Sequence, residues 1–234
     1  MKRFYKDVAI EKVDGGWQVM LDGRPVKTQM GNPQVVPTAM LAGVMQQEWA
    51  DQGDRIDPKA FLFRDHADYA IDVINPDRDT AIGKLLAFAD TDTLCYRADP
   101  EDALYREQQE RWEPLLAHLE ERLGIRYQRI SGVMHRPQPP ETLATLRQHL
   151  HARDDFALAG LTAMASLSAS LATALLANDE AINDPMALWR DANLEEDWQA
   201  ENWGRDEEAE AVRKQREEDF SAAQVFTMLA ATSD

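Results

Sequence analysis

An acidic cluster with one histidine is the part of the sequence whose residue types best suit metal chemistry. It consists of Asp65, His66, Asp68 and Asp72. On a helix this spacing places the carboxylates along adjacent faces, and carboxylates with an imidazole can bind a divalent metal that activates water. A metal-dependent hydrolase using this cluster is therefore one hypothesis. The competing interpretation is a solvated helix face, the usual setting of charged residues.

The other nucleophilic and ligand-forming residues give weaker signals. Cys95 is the single cysteine, and its own segment holds no histidine or asparagine that would activate a thiolate. We expect it to be a small buried hydrophobic side chain. His149 and His151 would point to different faces of a helix, so we expect them at the surface and not at a metal.

Sequence motifs for nucleotide and acyl chemistry are missing. Neither Gly-x-Gly-x-x-Gly nor Gly-x-x-x-x-Gly-Lys-Ser/Thr occurs, so the sequence contains no recognisable loop that would cradle phosphate. The Gly-x-Ser-x-Gly nucleophile elbow is missing as well. We therefore predict a protein that is not an enzyme and that uses no cofactor and no metal.

Charge indicates the kind of partner. The formal net charge is −17, which disfavours nucleic acid and anionic lipid because both require a basic face. The segment from Asp179 to Asp219 holds 15 acidic and 5 basic residues, a net charge of −10. A basic protein surface is the partner that this distribution favours.

Cysteine content and the N-terminus bear on location. A single cysteine cannot form an internal disulfide, which fits a reducing compartment. The first residues, MKRFYKDVAIEK, show neither the apolar segment of a secretory signal nor an Arg/Ser-rich leader. We expect the bacterial cytoplasm, or the mitochondrial matrix if a presequence has been removed.

The N-terminal residues have the alternation of strands. Val8–Val13 and Trp17–Leu21 flank an Asp14-Gly15-Gly16 turn, which predicts a hairpin. Residues 26–28 and 34–36 could add two short strands. A small antiparallel sheet is therefore predicted at the start of the chain.

Helical periodicity follows Pro37 and continues to the end. Leu41, Val44, Met45 and Trp49 share one apolar stripe, so we expect Trp49 in the core. The fold class is α+β, with a β-rich domain over residues 1–75 and a helical domain over residues 76–234. The break is expected at Asn75, where Asn-Pro-Asp interrupts the pattern.

Three further expectations concern helix boundaries. Pro114 should interrupt the helix that opens near Pro100. Asp154–Asn178 should form one helix; its stretch from 157 to 177 carries no charge, but its many Ala, Ser and Thr residues favour a buried helix over a membrane-associated one. One helix should begin at Pro185 and a last one should run from residue 206 to 229.

Several short strings occur along the chain in a fixed order. Each alone is weak, since Asp-Gly is a turn and Glu next to Trp is a helix face. They are Arg3-Phe-Tyr-Lys6, Leu21-Asp-Gly-Arg-Pro25 with Lys27-Thr28, Val36-Pro-Thr38 with Leu41-Ala42, Glu48-Trp49 with Gln52, Ala70-Ile-Asp72, Thr91-Asp-Thr-Leu-Cys-Tyr-Arg97, Gln109 with Trp112-Glu-Pro114, and Leu194-Glu-Glu196 with Gln199, Glu201, Trp203-Gly204 and Asp206.

In these strings the sequence resembles the assembly chaperones of the ATP synthase α subunit from mitochondria and α-proteobacteria. The resemblance covers essentially the whole chain. It implies a two-domain protein without enzymatic activity that binds the newly made α subunit on surfaces later used by the β subunit. It also implies that self-association of α is prevented until β arrives. We expect a monomer without stable membrane insertion.

The acidic, tryptophan-bearing segment near the C-terminus is the expected contact surface. It combines apolar side chains with carboxylates that would speed encounter with a basic partner. The expected partner-binding residues are Glu195, Glu196, Trp198, Gln199, Glu201, Trp203 and Asp206.

Overall fold

A β-hairpin opens the chain, as predicted. The computed structural model describes residues 1–132, 134–204 and 206–231, apart from the side chain of residue 203. In it β1 (Val8–Val13) pairs antiparallel with β2 (Gly16–Leu21). Two short strands, β3 (Arg24–Pro25) and β4 (Val35–Val36), also pair antiparallel with β2. Gly16 is required here, because a Cβ at this position would lie 2.2 Å from the Val36 carbonyl oxygen.

The first helix packs on this sheet. Helix α1 (Ala39–Ala50) begins after Thr38, whose hydroxyl accepts the Leu41 N–H at 3.1 Å. Trp49 is buried, as predicted, and its backbone carbonyl accepts the Tyr5 hydroxyl at 2.6 Å. The sequence strings around Tyr5 and Trp49 therefore meet in the core.

The remaining elements are mostly helical, which confirms the α+β class. A short 3₁₀ turn covers Pro58–Ala60, a π-helical turn covers Ala70–Ile74, and another 3₁₀ turn covers Thr93–Cys95. Two short strands, β5 (Tyr96–Arg97) and β6 (Ile130–Ser131), pair in parallel. The further helices are α2 (Leu62–Tyr69), α3 (Arg78–Asp90), α4 (Ala103–Leu123), α5 (Pro140–His151), α6 (Asp155–Ser168), α7 (Leu171–Leu176), α8 (Pro185–Ala192), α9 (Leu194–Trp203) and α10 (Glu207–Ala231).

The expectation that Pro114 interrupts a helix is wrong. Helix α4 is 21 residues long in total and continues through Pro114 without a break. Pro114 and Glu110, whose carbonyl loses its N–H partner, are both exposed, so water can satisfy that carbonyl. On the opposite side Trp112 and Leu116 are fully buried, and their packing keeps the helix continuous.

The expectation of one helix from residue 154 to 178 is also wrong. Helices α6 and α7 are separated at Ala169, which adopts a left-handed φ of +50°. Ser170 then starts α7, its hydroxyl accepting the Thr173 N–H at 2.9 Å. The buried Asp92 carboxylate accepts the Ser170 hydroxyl at 2.6 Å and the Ala172 N–H at 2.8 Å, which fixes the break.

The region after Pro185 contains two helices where one was expected, because α8 ends at Ala192 and α9 begins at Leu194. The last helix is close to the prediction, starting at Glu207 and ending at Ala231. Among the described residues, no helix combines the length and apolar character needed to cross a membrane.

The chain divides into two compact units. The first contains residues 1–81, residues 154–160 and the described residues from 222 on; the second contains residues 82–153 and 161–221. The chain thus returns to the first unit twice after its N-terminal part. The domain boundary expected at residue 75 stays a prediction.

Candidate partner-binding site

Helix α9 carries six of the seven expected contact residues, all except Asp206, and its first turn is fixed to α4. Leu194 is buried, and Glu195 accepts a hydrogen bond from the Gln108 side-chain amide at 2.7 Å. Gln108 is itself fully buried and uses its other amide atom to accept the Ala98 N–H at 2.8 Å. Burial raises the pKa of Glu195, partly offset by the hydrogen bond from Gln108.

The preceding turn is fixed to the same helix. The Trp112 indole donates to the Asp191 backbone carbonyl at 2.7 Å, and Arg111 pairs with the Asp191 carboxylate at 2.5 Å. Arg97 is buried, donates to the Gln108 backbone carbonyl at 2.8 Å and pairs with Glu113 at 3.2 Å. Arg97 thus has a structural role, holding the strand β5 against α4.

A second set of contacts holds α9 against α10. Asp197 pairs with Arg213, and this pairing raises the pKa of the Arg213 guanidinium. Glu196 pairs with Arg216 at 3.2 Å, and Arg216 also donates to the Leu167 carbonyl at 2.8 Å. Two of the acids in the first turn of α9 are therefore neutralised within the protein.

The other expected residues face open space on either side of α9. Trp198 is half-buried and Glu201 is exposed, and both line a groove of about 710 Å³ whose walls also include Glu107 and Glu217. These three glutamates form no ion pair with any described residue. The same groove is lined by four basic residues and two further acids, Arg111, Arg190, Arg213, Lys214, Asp197 and Glu210. Its acidic residues therefore outnumber its basic ones by five to four.

A second groove lies on the opposite flank of the helix. It has a volume of about 630 Å³ and is lined by Gln199 and Asp206, both exposed. Asp206 also accepts the Glu208 N–H at 3.0 Å at the start of α10. The side chain of Trp203 lies outside the described residues. The structure thus brings Trp198, Gln199, Glu201 and Asp206 to open surfaces beside α9.

Sequence reasoning missed the residues that hold this helix. Gln108, Arg213 and Arg216 were not predicted as part of the site. The i, i+3 spacing of Arg213 and Arg216 opposite the adjacent Glu196 and Asp197 is a signal that could have found two of them.

The predicted alternative site has a different role. Asp72 accepts hydrogen bonds from the Thr28 hydroxyl at 2.7 Å, the Asn32 amide at 2.8 Å and the Met30 N–H at 3.2 Å. Asp68 accepts the Gln29 N–H and the Gln34 amide. The two carboxylates therefore anchor the loop between β3 and β4, which gives no support to the metal-dependent hydrolase.

The rest of that cluster is also engaged. Asp65 pairs with Arg64 at 2.6 Å, and the His66 ring packs 5.3 Å from the Phe226 ring. Among the described residues no group of His, Cys, Asp and Glu side chains is placed to hold a metal ion.

Cys95 is fully buried, as expected. This burial raises the pKa of its thiol far above the usual range, which suppresses the reactivity of the thiol.

Comparison with known proteins agrees with the resemblance seen in the sequence. Residues 2–120 match the family model described as ATP12 chaperone protein. The curated protein atp12, mitochondrial, of Schizosaccharomyces pombe is 28% identical over 229 residues, which cover 90% of this chain and 76% of that protein.

Solved structures extend the similarity to the whole fold. Atp12 from Paracoccus denitrificans is 35% identical with a TM-score of 0.90 and covers 98% of each chain. The Atu1473 protein from Agrobacterium tumefaciens is 37% identical with a TM-score of 0.92, covering 97% of this chain and 85% of that one. The chain belongs to the ATP12 chaperone protein family, a family of ATP synthase assembly chaperones.

Proposed function

We propose that this protein binds the free α subunit of the F-type ATP synthase head and prevents its self-association until the β subunit joins. It acts by binding and not by catalysis, as a monomer, in the bacterial cytoplasm or, after removal of a presequence, in the mitochondrial matrix. Family membership supports the role in assembly. The choice of the α subunit rests on the sequence strings described above.

The observation that carries the proposal is the presentation of α9. The helix is held on two sides by α4 and α10, so its open face is presented without the entropic cost of ordering a loose segment. Trp198 offers an aromatic surface in a groove, the setting in which tryptophan contributes most to interfaces.

The physical demands on such a chaperone fit this arrangement. A subunit of an obligate ring exposes a large, partly apolar face before assembly. The chaperone must cover that face and later release it, which favours a small apolar anchor framed by charges that speed encounter. Trp198 provides the anchor, and Glu107, Glu201 and Glu217 provide the charges.

Capture of the α subunit from cells lacking β tests the proposal. We expect wild-type protein to retain α, and Trp198→Ala and Glu201→Lys each to weaken the affinity by about tenfold. Glu180→Lys is the matched control, because Glu180 is exposed in the same unit and away from both grooves. Thermal melts check that each variant is folded. Equal capture by all variants would remove α9 from the interface, and failure of the wild type to capture α would reject the proposed partner.

A further inference from the structure

A third groove, in which basic residues outnumber acidic ones, lies in the first compact unit. Its volume is about 520 Å³, and its lining includes Phe4, Leu21, Arg24, Pro25, Val26 and Lys27. Leu21 and Val26 are buried and form the floor, whereas Phe4, Arg24, Pro25 and Lys27 are exposed. We call this the N-terminal groove.

The turn between β2 and β3 shapes the groove. Asp22 and Gly23 have φ values of +47° and +72°, the two left-handed positions of a tight hairpin turn. The Asp22 carboxylate accepts the backbone N–H groups of Lys6 at 3.0 Å and Asp7 at 2.8 Å, and these bonds lower its pKa. The turn therefore fixes the segment that carries Phe4 beside Arg24 and Lys27.

The aromatic side chain of Phe4 is exposed at the N-terminal groove. Phe4 is 62% exposed, while its neighbour Tyr5 is 4% exposed. The two rings pack edge to face with centroids 5.3 Å apart, and Tyr5 is anchored through its hydroxyl to the Trp49 carbonyl. Phe4 thus packs against the buried Tyr5 on one side and presents apolar surface to solvent on the other.

The charges around Phe4 are mainly positive. Lys6, Arg24 and Lys27 are exposed, and none of them lies within 4 Å of a described carboxylate oxygen. Lys6 and Arg24 are still close enough to Asp22 to help lower its pKa. The N-terminal groove is itself lined by Arg24, Lys27 and Asp22. The adjoining hollow on the other side of Phe4 adds Arg3, Lys6 and Asp7, so in the two together four basic residues face two acidic ones. In a chain of net charge −17 this is a local reversal of sign.

We propose that the N-terminal groove binds an acidic protein segment that carries an apolar side chain. Arg24 and Lys27 complement carboxylates of the segment, and the apolar side chain packs on Phe4 and Pro25 above the Leu21–Val26 floor. Nucleic acid fits less well, because a polyanion extending past the groove meets the negative field of the whole chain. The inference stands apart from the proposed function, because its residues lie in the other unit from α9.

Fluorescence anisotropy with a labelled Asp/Glu-rich peptide bearing one central Phe tests the inference on the full chain. We expect wild-type protein to bind it, and a peptide with Ala in place of Phe to bind more weakly. The double variant Arg24→Glu plus Lys27→Glu should weaken binding by about tenfold, since two attractions become repulsions. Arg55→Glu plus Lys59→Glu is the control, with the same charge change at exposed sites of the same unit. The control should bind like the wild type.

Several outcomes would overturn the inference. These are no binding by the wild type, equal weakening by both double variants, equal binding of the Ala peptide, or tighter binding of an RNA oligomer than of the peptide. Sedimentation provides a second check: self-association abolished by Arg24→Glu plus Lys27→Glu would assign the groove to a second copy of this chain instead. Trp198→Ala should leave peptide binding unchanged, which separates this inference from the proposed function.

Discussion

At the scale of single residues, Asp92 shows how one buried carboxylate determines a helix boundary. It is fully buried and accepts hydrogen bonds from the Leu94 N–H, the Ser170 hydroxyl and the Ala172 N–H. Desolvation raises its pKa from 3.8 to about 6, against the opposing effect of these bonds. Asp92 therefore joins the start of α7 to a turn distant in sequence, and its pKa is about 6.

The raised pKa of Asp92 predicts a pH dependence of stability. Between pH 3.8 and about 6 the unfolded chain releases the Asp92 proton and the folded chain retains it, so this contribution to stability is lost as the pH rises. We expect the unfolding free energy of wild type relative to Asp92→Asn to fall by roughly 3 kcal/mol from pH 3.5 to pH 7. Urea titrations of both proteins measure it. A constant difference across this range would show that Asp92 is not perturbed.

Glu195 and Glu196 are adjacent acids in different environments. Glu195 accepts a hydrogen bond from the side-chain amide of the buried Gln108, whereas Glu196 is exposed and pairs with Arg216. We expect Glu195→Lys to reduce the unfolding free energy by about 2 kcal/mol, since a cation would face the Gln108 donor. Glu196→Lys should cost less than about 1 kcal/mol because its pair is solvent-exposed. Thermal and urea melts test this, and equal losses would contradict the assigned environments.

At the scale of elements, the contact between α6 and α10 depends on a glycine. A Cβ at Gly160 would lie 1.8 Å from the Thr227 hydroxyl oxygen and 3.0 Å from the Ala223 carbonyl oxygen. We expect Gly160→Ala to destabilise the protein by about 1 to 3 kcal/mol through overpacking. Denaturant midpoints provide the measurement.

Gly43→Ala is the matched control for Gly160→Ala. Gly43 is also inside a helix, α1, but a Cβ there meets nothing within 4 Å. We expect Gly43→Ala to stabilise the protein by about 0.5 to 1 kcal/mol, because alanine has a higher helix propensity than glycine. If Gly160→Ala stabilises the protein as Gly43→Ala does, the close approach of α6 and α10 is not present.

Local patterns predicted the elements better than their ends. The hairpin followed from alternation and a glycine turn, and α1 followed from its stripe and the Thr38 cap. The break at Ala169 could not be predicted, because the carboxylate that fixes it belongs to Asp92, which lies 78 positions before Ser170. The continuation of α4 through Pro114 could not be predicted either, since it depends on which side of the helix is buried.

At the scale of the whole molecule, the sequence gives the number of charged residues but not which of them form ion pairs in the fold. Counting residues identifies the acidic region from 179 to 219. It does not show that Glu196 and Asp197 are matched by Arg216 and Arg213, because those pairs join different helices. The expected site therefore separates into residues that hold α9 and residues that remain open, and only the second group is expected to meet a partner directly.

Light scattering by purified α subunit during dilution into assembly buffer tests the proposed chaperone role. We expect an equimolar amount of this protein to suppress aggregation of α. We also expect added β subunit to displace the chaperone with formation of an α–β complex. Unchanged aggregation of α, or equal protection of an unrelated aggregating protein such as citrate synthase, would contradict the account.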